Sequence, residues 1–474
     1  MNKKKKTLLI GAVVLVLLIG AMLALLFTQP KDDADTSSAL SAEEEDVYLY
    51  QEEENSLKSL QVTNETGTYS LEQVGEQKWG ITALDDYKTD SEAYTDTAER
   101  YTQLAAKQKL LDKVTDKAKY GLDNPIGTGV ATFNNGTTHT VTVGDMTPDE
   151  AGYYAMVDGD EALYIITIAN AQKLQQSQLA YLNMTIIEGY DTEDSEAIPT
   201  IEGMTIERKD LDYKVVMEKA QQTGDDETQM YASTLQMVSP VECDLDSQHA
   251  DEEIILPLFG LTAEEAVALD AEAVKSQYGF DDPTATIVLQ YDGRTATMTF
   301  GSKADDESYY MMFNENNVIY RVKIESVAAL TVDPNTLVSS LGILPYIDDV
   351  KTVTVEFEDK TYVYELTGED DELKITLDGK NIDTDNFKQL YQLILNPSLE
   401  AIYTGTVTSD PVVSVTYEYR AGGSDTIELY DDGGRQMIFA LNGQANRSGR
   451  SAYLDKLERE LQNLIDGKDV DTTW

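Results

Sequence analysis

Two tyrosine pairs, Tyr153-Tyr154 and Tyr309-Tyr310, are the side chains best suited to hold a ligand. Neighbours in a strand face opposite sides of the sheet. One ring of each pair then belongs to the core, and the other looks outward, where a phenol can stack on a sugar. His139 and His249 are the 2 imidazoles of the chain. Histidine titrates nearest neutral pH and is the usual general base or metal ligand. His139 sits in a strand-like stretch and His249 in an acidic loop, so they do not form one site by sequence. The chain has no Gly-x-Ser-x-Gly elbow, P-loop, dinucleotide fingerprint or His-Glu-x-x-His.

Carboxylates are abundant, 86 Asp+Glu in 474 residues, so any pair placed for glycoside hydrolysis is uninformative. The clusters Asp85-Asp86, Asp225-Asp226-Glu227, Asp281-Asp282, Asp305-Asp306-Glu307, Glu369-Asp370-Asp371-Glu372 and Asp431-Asp432 offer Ca²⁺ ligands. None has EF-hand spacing, and most read as solvated turns. Cys243 is the single cysteine, which excludes an intramolecular disulfide and a cysteine-built metal site. The expectation is therefore no catalytic residue, no cofactor and no metal.

Net charge narrows the partners. With 36 Lys+Arg the chain carries −50. Lys3 to Lys6 contribute +4 and no acid lies before residue 31, so residues 31–474 carry −54. A nucleic-acid surface needs cations to displace counterions, so nucleic acid is excluded as a partner. With 41% hydrophobic residues, the chain still has enough apolar surface to fold.

The first residues read as a membrane anchor. Four lysines precede the apolar run Thr7 to Phe27. At about 1.5 Å per residue its 21 residues span about 31 Å, the thickness of a hydrocarbon core. The lysines hold the N-terminus in the cytoplasm, and the run ends without a small-x-small cleavage site. Residues 1–30 are thus expected to anchor the chain through residues 7–27. Residues 31–46 form an acidic tether, and the bulk of the chain is extracellular. Asn64, Asn135, Asn183 and Asn446 head Asn-x-Ser/Thr triplets, which matter only in a eukaryote; an ectodomain without disulfides argues for a bacterial surface.

The remainder is repetitive. Tyr120-Gly-Leu-Asp-Asn-Pro125 returns as Tyr278-Gly-Phe-Asp-Asp-Pro283. Gly144 follows Tyr120 by 24 residues, and Gly301 follows Tyr278 by 23. The tyrosine pairs and then Leu163-Tyr164-Ile165 and Ile319-Tyr320-Arg321 follow in the same order. A third copy from Asp410-Pro411 keeps the strand order without the tyrosine marks. These blocks set three units, 47–195, 196–347 and 348–474, the last divergent.

Each unit predicts strands, a helix, more hairpins and a closing helix. Val353, Val355 and Phe357 alternate with polar residues, and Tyr362, Tyr364 and Leu366 answer them. Tyr69, Leu71, Trp79 and Ile81 form a similar hairpin. Tyr94, Ala98, Tyr101 and Ala105 mark one helix face, with Asp90 or Ser91 as cap. Phe387, Leu390, Tyr391 and Ile394 repeat it, and in unit two the equivalent helix is expected to be shorter or irregular. Thr262-Ala-Glu-Glu265 has the pattern of a capping box opening a brief helix. Asn135-Gly136, Asp292-Gly293 and Asn442-Gly443 are hairpin turns. Leu454, Leu457, Leu461 and Leu464 face one side of a last helix, capped by Ser451 and stopped by Gly467. The fold class is α+β: an N-terminal single transmembrane helix, then three tandem modules of antiparallel sheet with covering helices. Tyr-Gly-x-Asp-x-Pro reads as a turn into a strand, with Gly at an unusual angle, Asp bonding amides and Pro starting the next segment.

The anchor, Trp79, Tyr120–Pro125, Gly144-Asp145 and Tyr153–Ala155 together resemble the bacterial family called domain of unknown function 4340. The resemblance covers most of 47–345; unit two departs at Ser302, where unit one has Asp145. Members of that family often resemble components encoded beside ABC-type transport systems of the gliding-motility kind. The resemblance implies an accessory role at the membrane and carries over no catalytic residue. The expected function is therefore an extracytoplasmic scaffold contacting an ABC-type permease. A glycan-binding surface module is the alternative, and a hydrolase the second alternative.

Overall fold

The computed structural model describes residues 47–220, 234–314, 316–357 and 359–473. The anchor, the tether and the Asp225-Asp226-Glu227 cluster lie outside them. Among the described residues no helix is long and apolar enough to cross a membrane. The fold is sheet-rich: four antiparallel sheets and a few helices.

The three large sheets share one strand order. In unit three it runs Lys380–Ile382, Lys374–Leu377, Lys360–Thr367, Val350–Phe357, Val413–Tyr419, Ser424–Asp431, Gln436–Leu441, Gln444–Arg450, Leu399–Ile402. Unit two repeats this order, ending on edge strand Glu265–Leu269. Unit one repeats it without the outermost strand, ending on Gln108–Leu111. The fourth sheet is a ribbon of Val47–Gln51 with Gln103–Ala106, found in unit one.

Period-two patterning places the cores. Val141 and Val143, Ala296, Met298 and Phe300, and Ile427 and Leu429 are all buried, as expected for one sheet face. Helices cover that face and close units one and three; in unit two the closing helix expected after Val318–Lys323 is replaced by the single tight turns Ile324–Ser326 and Ala328–Leu330. Ser91–Thr102 starts at Asp90, whose carboxylate accepts from the Glu92 and Ala93 amides at 2.9 and 3.2 Å. Its Tyr101 hydroxyl donates to Asn170 O, 2.8 Å away, in the closing helix Ile168–Gln175. In unit three, Thr384–Leu395 and Ala452–Ile465 pack together, and Tyr453 donates to Leu393 O at 2.8 Å. Units one and two share one continuous apolar core, while unit three has its own.

Three local expectations are corrected. The first helix ends at Thr102, and Ala105 lies in the ribbon strand Gln103–Ala106, where pairing with Val47–Gln51 captures the backbone. Thr262–Glu265 opens no helix. Ala263 N donates to Met184 O at 2.8 Å, and Glu265 pairs with Arg321 in the sheet, so ladder bonds displace the capping box. Ser451 occupies the cap position with helical angles, φ −59° and ψ −25°, and its side chain makes no cap bond. The irregular helix expected in unit two is Gln248–Ile255, wound wider than an α-helix.

The turn dipeptides behave as their chemistry requires. Asp292-Gly293 has φ +47° and +68°, and Asn442-Gly443 has +51° and +79°, the signature of a two-residue hairpin turn. At Asn135-Gly136 only the glycine is left-handed, and the Gly136 amide donates to Phe133 O at 2.9 Å.

Candidate functional site

The repeated motif builds one structure twice. Ala118–Tyr120 and Lys275–Tyr278 are single turns of tight helix, each stopped by a left-handed glycine, Gly121 at φ +70° and Gly279 at +84°. The Leu122 amide reaches back to Lys117 O, and that of Phe280 to Lys275 O, both at 3.1 Å. Pro125 and Pro283 then lead into strands Gly127–Phe133 and Ala285–Tyr291. Asp123 and Asp281 make no hydrogen bond to an amide among the described residues, which corrects that part of the turn reading. The backbone glycine, not the carboxylate, shapes the turn.

The distant glycine is part of the same construction. A Cβ on Gly144 would lie 2.0 Å from Tyr120 O, and one on Gly301 would lie 2.2 Å from Tyr278 O. The glycine gives the turn room to lie on the strand, which explains the matched spacing. Unit three reports the converse. Val143, Phe300 and Leu429 occupy one register position, opposite Gly127, Ala285 and Val413. The next residue is Gly144, Gly301 and Tyr430. Where no Tyr-Gly turn arrives, a tyrosine fills the place. Gly144→Ala is expected to destabilise by about 3 kcal/mol, because backbone must move to admit the methyl. Gly159→Ala, in an open turn, is expected to cost about 1 kcal/mol from its left-handed angle alone. Denaturant titration of both variants measures this; equal losses would remove the close approach as the cause.

The tyrosine pairs meet this turn. Tyr154 packs edge-on against Tyr120 with ring centres 4.9 Å apart, and Tyr310 against Tyr278 at 4.8 Å. Lys119 lies over the Tyr120 ring at 5.4 Å. Tyr153 and Tyr309 lean against the main core from the other side, and all four are half-buried. The outward Tyr310 thus closes its unit's second face over Phe280 and Ile319, and Tyr154 holds the same place beside Tyr120 in unit one.

Two polar clusters join residues far apart in sequence. His139 Nε2 lies 2.8 Å from Glu52 Oε1, and its ring stacks on Tyr50 at 4.3 Å. His249 lies between Glu253, 2.8 Å from Nδ1, and the Thr336 hydroxyl, 2.9 Å from Nε2. This is the order of a hydroxyl, imidazole and carboxylate relay. The Thr336 oxygen also lies 2.8 Å from Asp333 O, an acceptor within its own turn, and Thr336 and Glu253 are exposed. The trio ties helix Gln248–Ile255 to turn Pro334–Leu337. Thr336 carried no sequence signal, because its partner is 87 residues away. Among the described residues no group of three or more His, Cys, Asp or Glu is placed to hold a metal ion. A shallow groove of about 550 Å³ runs between Ser177–Leu179 of unit one and the edge strand Glu265–Leu269 of unit two.

No curated protein and no solved structure matches the chain. The family described as Domain of unknown function (DUF4340) matches residues 79–273 and again 236–411, the two matches overlapping and together spanning more than half of the 474 residues. The second match begins in unit two and runs into unit three, as a repeated fold predicts. The chain is a member of the DUF4340 family.

Proposed function

We propose that the protein is a membrane-anchored, extracytoplasmic scaffold of an ABC-type transport complex, acting by protein contact. The observation that carries this reading is the way the units are joined. The segment leaving unit one lies along the strand entering the edge of unit two, with Ala263 N on Met184 O at 2.8 Å. The segment leaving unit two does the same to unit three, with Leu399 N on Ser340 O at 3.1 Å. A joint used twice ties the three units in series, the way repeat proteins build surfaces that span between partners. The apolar run of residues 7–27 would hold it at the membrane, and the net −54 of residues 31–474 would keep it soluble and away from anionic polymers.

Purification through the intact anchor should recover a permease and its ATPase. Recovery of neither, from membranes where both are present, would sink the reading. A glycan module remains the competing idea. The rings it needs are spent on each other in the Tyr120–Tyr154 and Tyr278–Tyr310 contacts. Tyr154→Ala should therefore cost about 1 kcal/mol of stability, the scale of an aromatic pair. Loss of binding to a cell-wall glycan array without loss of stability would favour the glycan reading instead.

A further inference from the structure

The joint leaves one end open. In unit two, edge strand Glu265–Leu269 is covered by Gln178–Tyr181 of unit one. In unit three, edge strand Leu399–Ile402 is covered by Pro334–Leu337 of unit two, and Ile402 N donates to Asn335 Oδ1 at 2.9 Å. Unit one has the same edge strand, Gln108–Leu111, and among the described residues no element covers it. All four of its residues are exposed, with Leu110 and Leu111 at 40% and 37%. Two leucines left open on an edge strand are a place where another chain pairs.

The chemistry of this edge is reversed from its counterpart. Residues 107–120 hold five lysines (107, 109, 113, 117, 119) and two aspartates, a net of +3. The equivalent residues 264–278 hold Glu264, Glu265, Asp270 and Glu272 against Lys275, a net of −3. After the four N-terminal lysines, 107–120 is the most basic stretch of a strongly acidic chain. Lys109 pairs with Asp112 at 3.0 Å and Lys113 with Glu161 at 2.6 Å. Pairs this exposed are weak and readily exchanged. Asp149 and Asp160 also act on Lys107 and Lys109, so the contrast with unit two lies in the lysines that line this edge and not in a net positive field.

We propose that Gln108–Leu111 and its lysines form a docking seat for an acidic extracytoplasmic segment of another protein. That segment would lie on the edge as Gln178–Tyr181 lies on Glu265–Leu269. The inference rests on the scaffold reading only for the source of this partner, a subunit of the same membrane complex. A second copy of this chain is a poor occupant. Its two covering turns are already used, and the residues after its last helix are held on their own unit, Val470 N on Asn386 Oδ1 at 2.7 Å and Asp471 N on Glu460 Oε2 at 2.9 Å.

The test is photo-crosslinking of the full-length protein in its own membranes, with Leu110→p-benzoylphenylalanine. The expected product is an adduct with a different membrane protein, mapping to a peptide rich in Asp and Glu. Combining Lys109→Glu, Lys113→Glu and Lys117→Glu should lower its yield about tenfold or more. The three corresponding Arg substitutions should preserve it. The same crosslinker at Ala268 should join Glu265–Leu269 to Ser177–Leu179 within the chain, which verifies folding of every variant. Adducts only with residues 31–46, with a second copy or with phospholipid would overturn the proposal. So would no adduct, or a yield indifferent to charge reversal. Recovery of the permease through the anchor, together with any of these results, would overturn the seat and leave the scaffold reading standing.

Discussion

Arg447→Ala will destabilise unit three by about 3–5 kcal/mol, the loss expected when a buried charged hydrogen-bond donor is removed from its acceptors. Arg447 is 1% exposed and lies in the strand Gln444–Arg450. Its Nη1 donates to Ser339 O at 2.9 Å and Leu341 O at 2.6 Å, and its Nη2 to Gly342 O at 2.8 Å. Those carbonyls belong to the segment joining units two and three. The guanidinium also lies 5.1 Å from the Phe439 ring centre. Alanine would strand three acceptors, and lysine would not restore them, because one ammonium cannot reproduce the planar fork.

The neighbouring cysteine reports the opening. Burial pushes the Cys243 thiol up to about 11, against the lesser opposing pull of Arg447. Its thiolate is then scarce near neutral pH, and alkylation of the folded protein is slow. In Arg447→Ala, loosening of the joint exposes Cys243 and speeds alkylation, while unit three melts at lower denaturant. Unchanged alkylation together with an unchanged midpoint would show that Arg447 is not the fastening of this joint. The adjacent Asn446 supports the same contact, its amide donating to Glu242 O at 2.7 Å.

The joint was invisible in sequence for a physical reason. Arg447 reads as one more cation beside an Asn-x-Ser triplet, and its acceptors are backbone carbonyls more than a hundred residues away. Side-chain type says nothing about carbonyls. The periodic features were legible because they depend on neighbours alone. Phe387, Leu390, Tyr391 and Ile394 share a buried helical face, as their spacing requires. The Tyr-Gly turn was legible as a turn, but the reason for Gly144 was not, since 24 residues of spacing do not show a carbonyl arriving at a Cα. Thr262–Glu265 misled because its local capping pattern competes with a ladder that only the fold supplies. The third unit looked worn for a related reason. Its sheet order is intact, and what it lost is the Tyr-Gly turn together with the glycine, Tyr430 standing in its place. Sequence similarity followed the turn and missed the shared topology.

Alkaline unfolding is expected to be abrupt. The hydroxyls of Tyr50, Tyr101 and Tyr453 donate to buried carbonyls, and those of Tyr364 and Tyr417 are buried with no hydrogen-bond partner among the described residues. Desolvation by burial raises the phenols of all five, and of Tyr69 and Tyr391, far above their ordinary value. A group whose folded pKa is raised contributes its full stability below its unfolded pKa and loses it as pH climbs toward the folded one. For these phenols the loss begins near pH 10. Each proton kept by the native state and released by the unfolded state costs about 1.4 kcal/mol per pH unit. Three of the seven lie in the core shared by units one and two and four in the core of unit three, giving slopes of roughly 4 and 5.6 kcal/mol per unit, a large part of the stability of a domain. Unfolding should therefore follow within roughly two pH units of its onset, with unit three, which holds four of the phenols, giving way no later than units one and two. The last seven of the 28 tyrosines should ionise only as far-ultraviolet circular dichroism is lost. The buried phenols cannot ionise until the cores open, and the cores cannot stay closed once the unfolded chain gains seven anions. Ionisation of all 28 tyrosines with unaltered dichroism would show that these seven rings reach water in the folded protein, contrary to their packing.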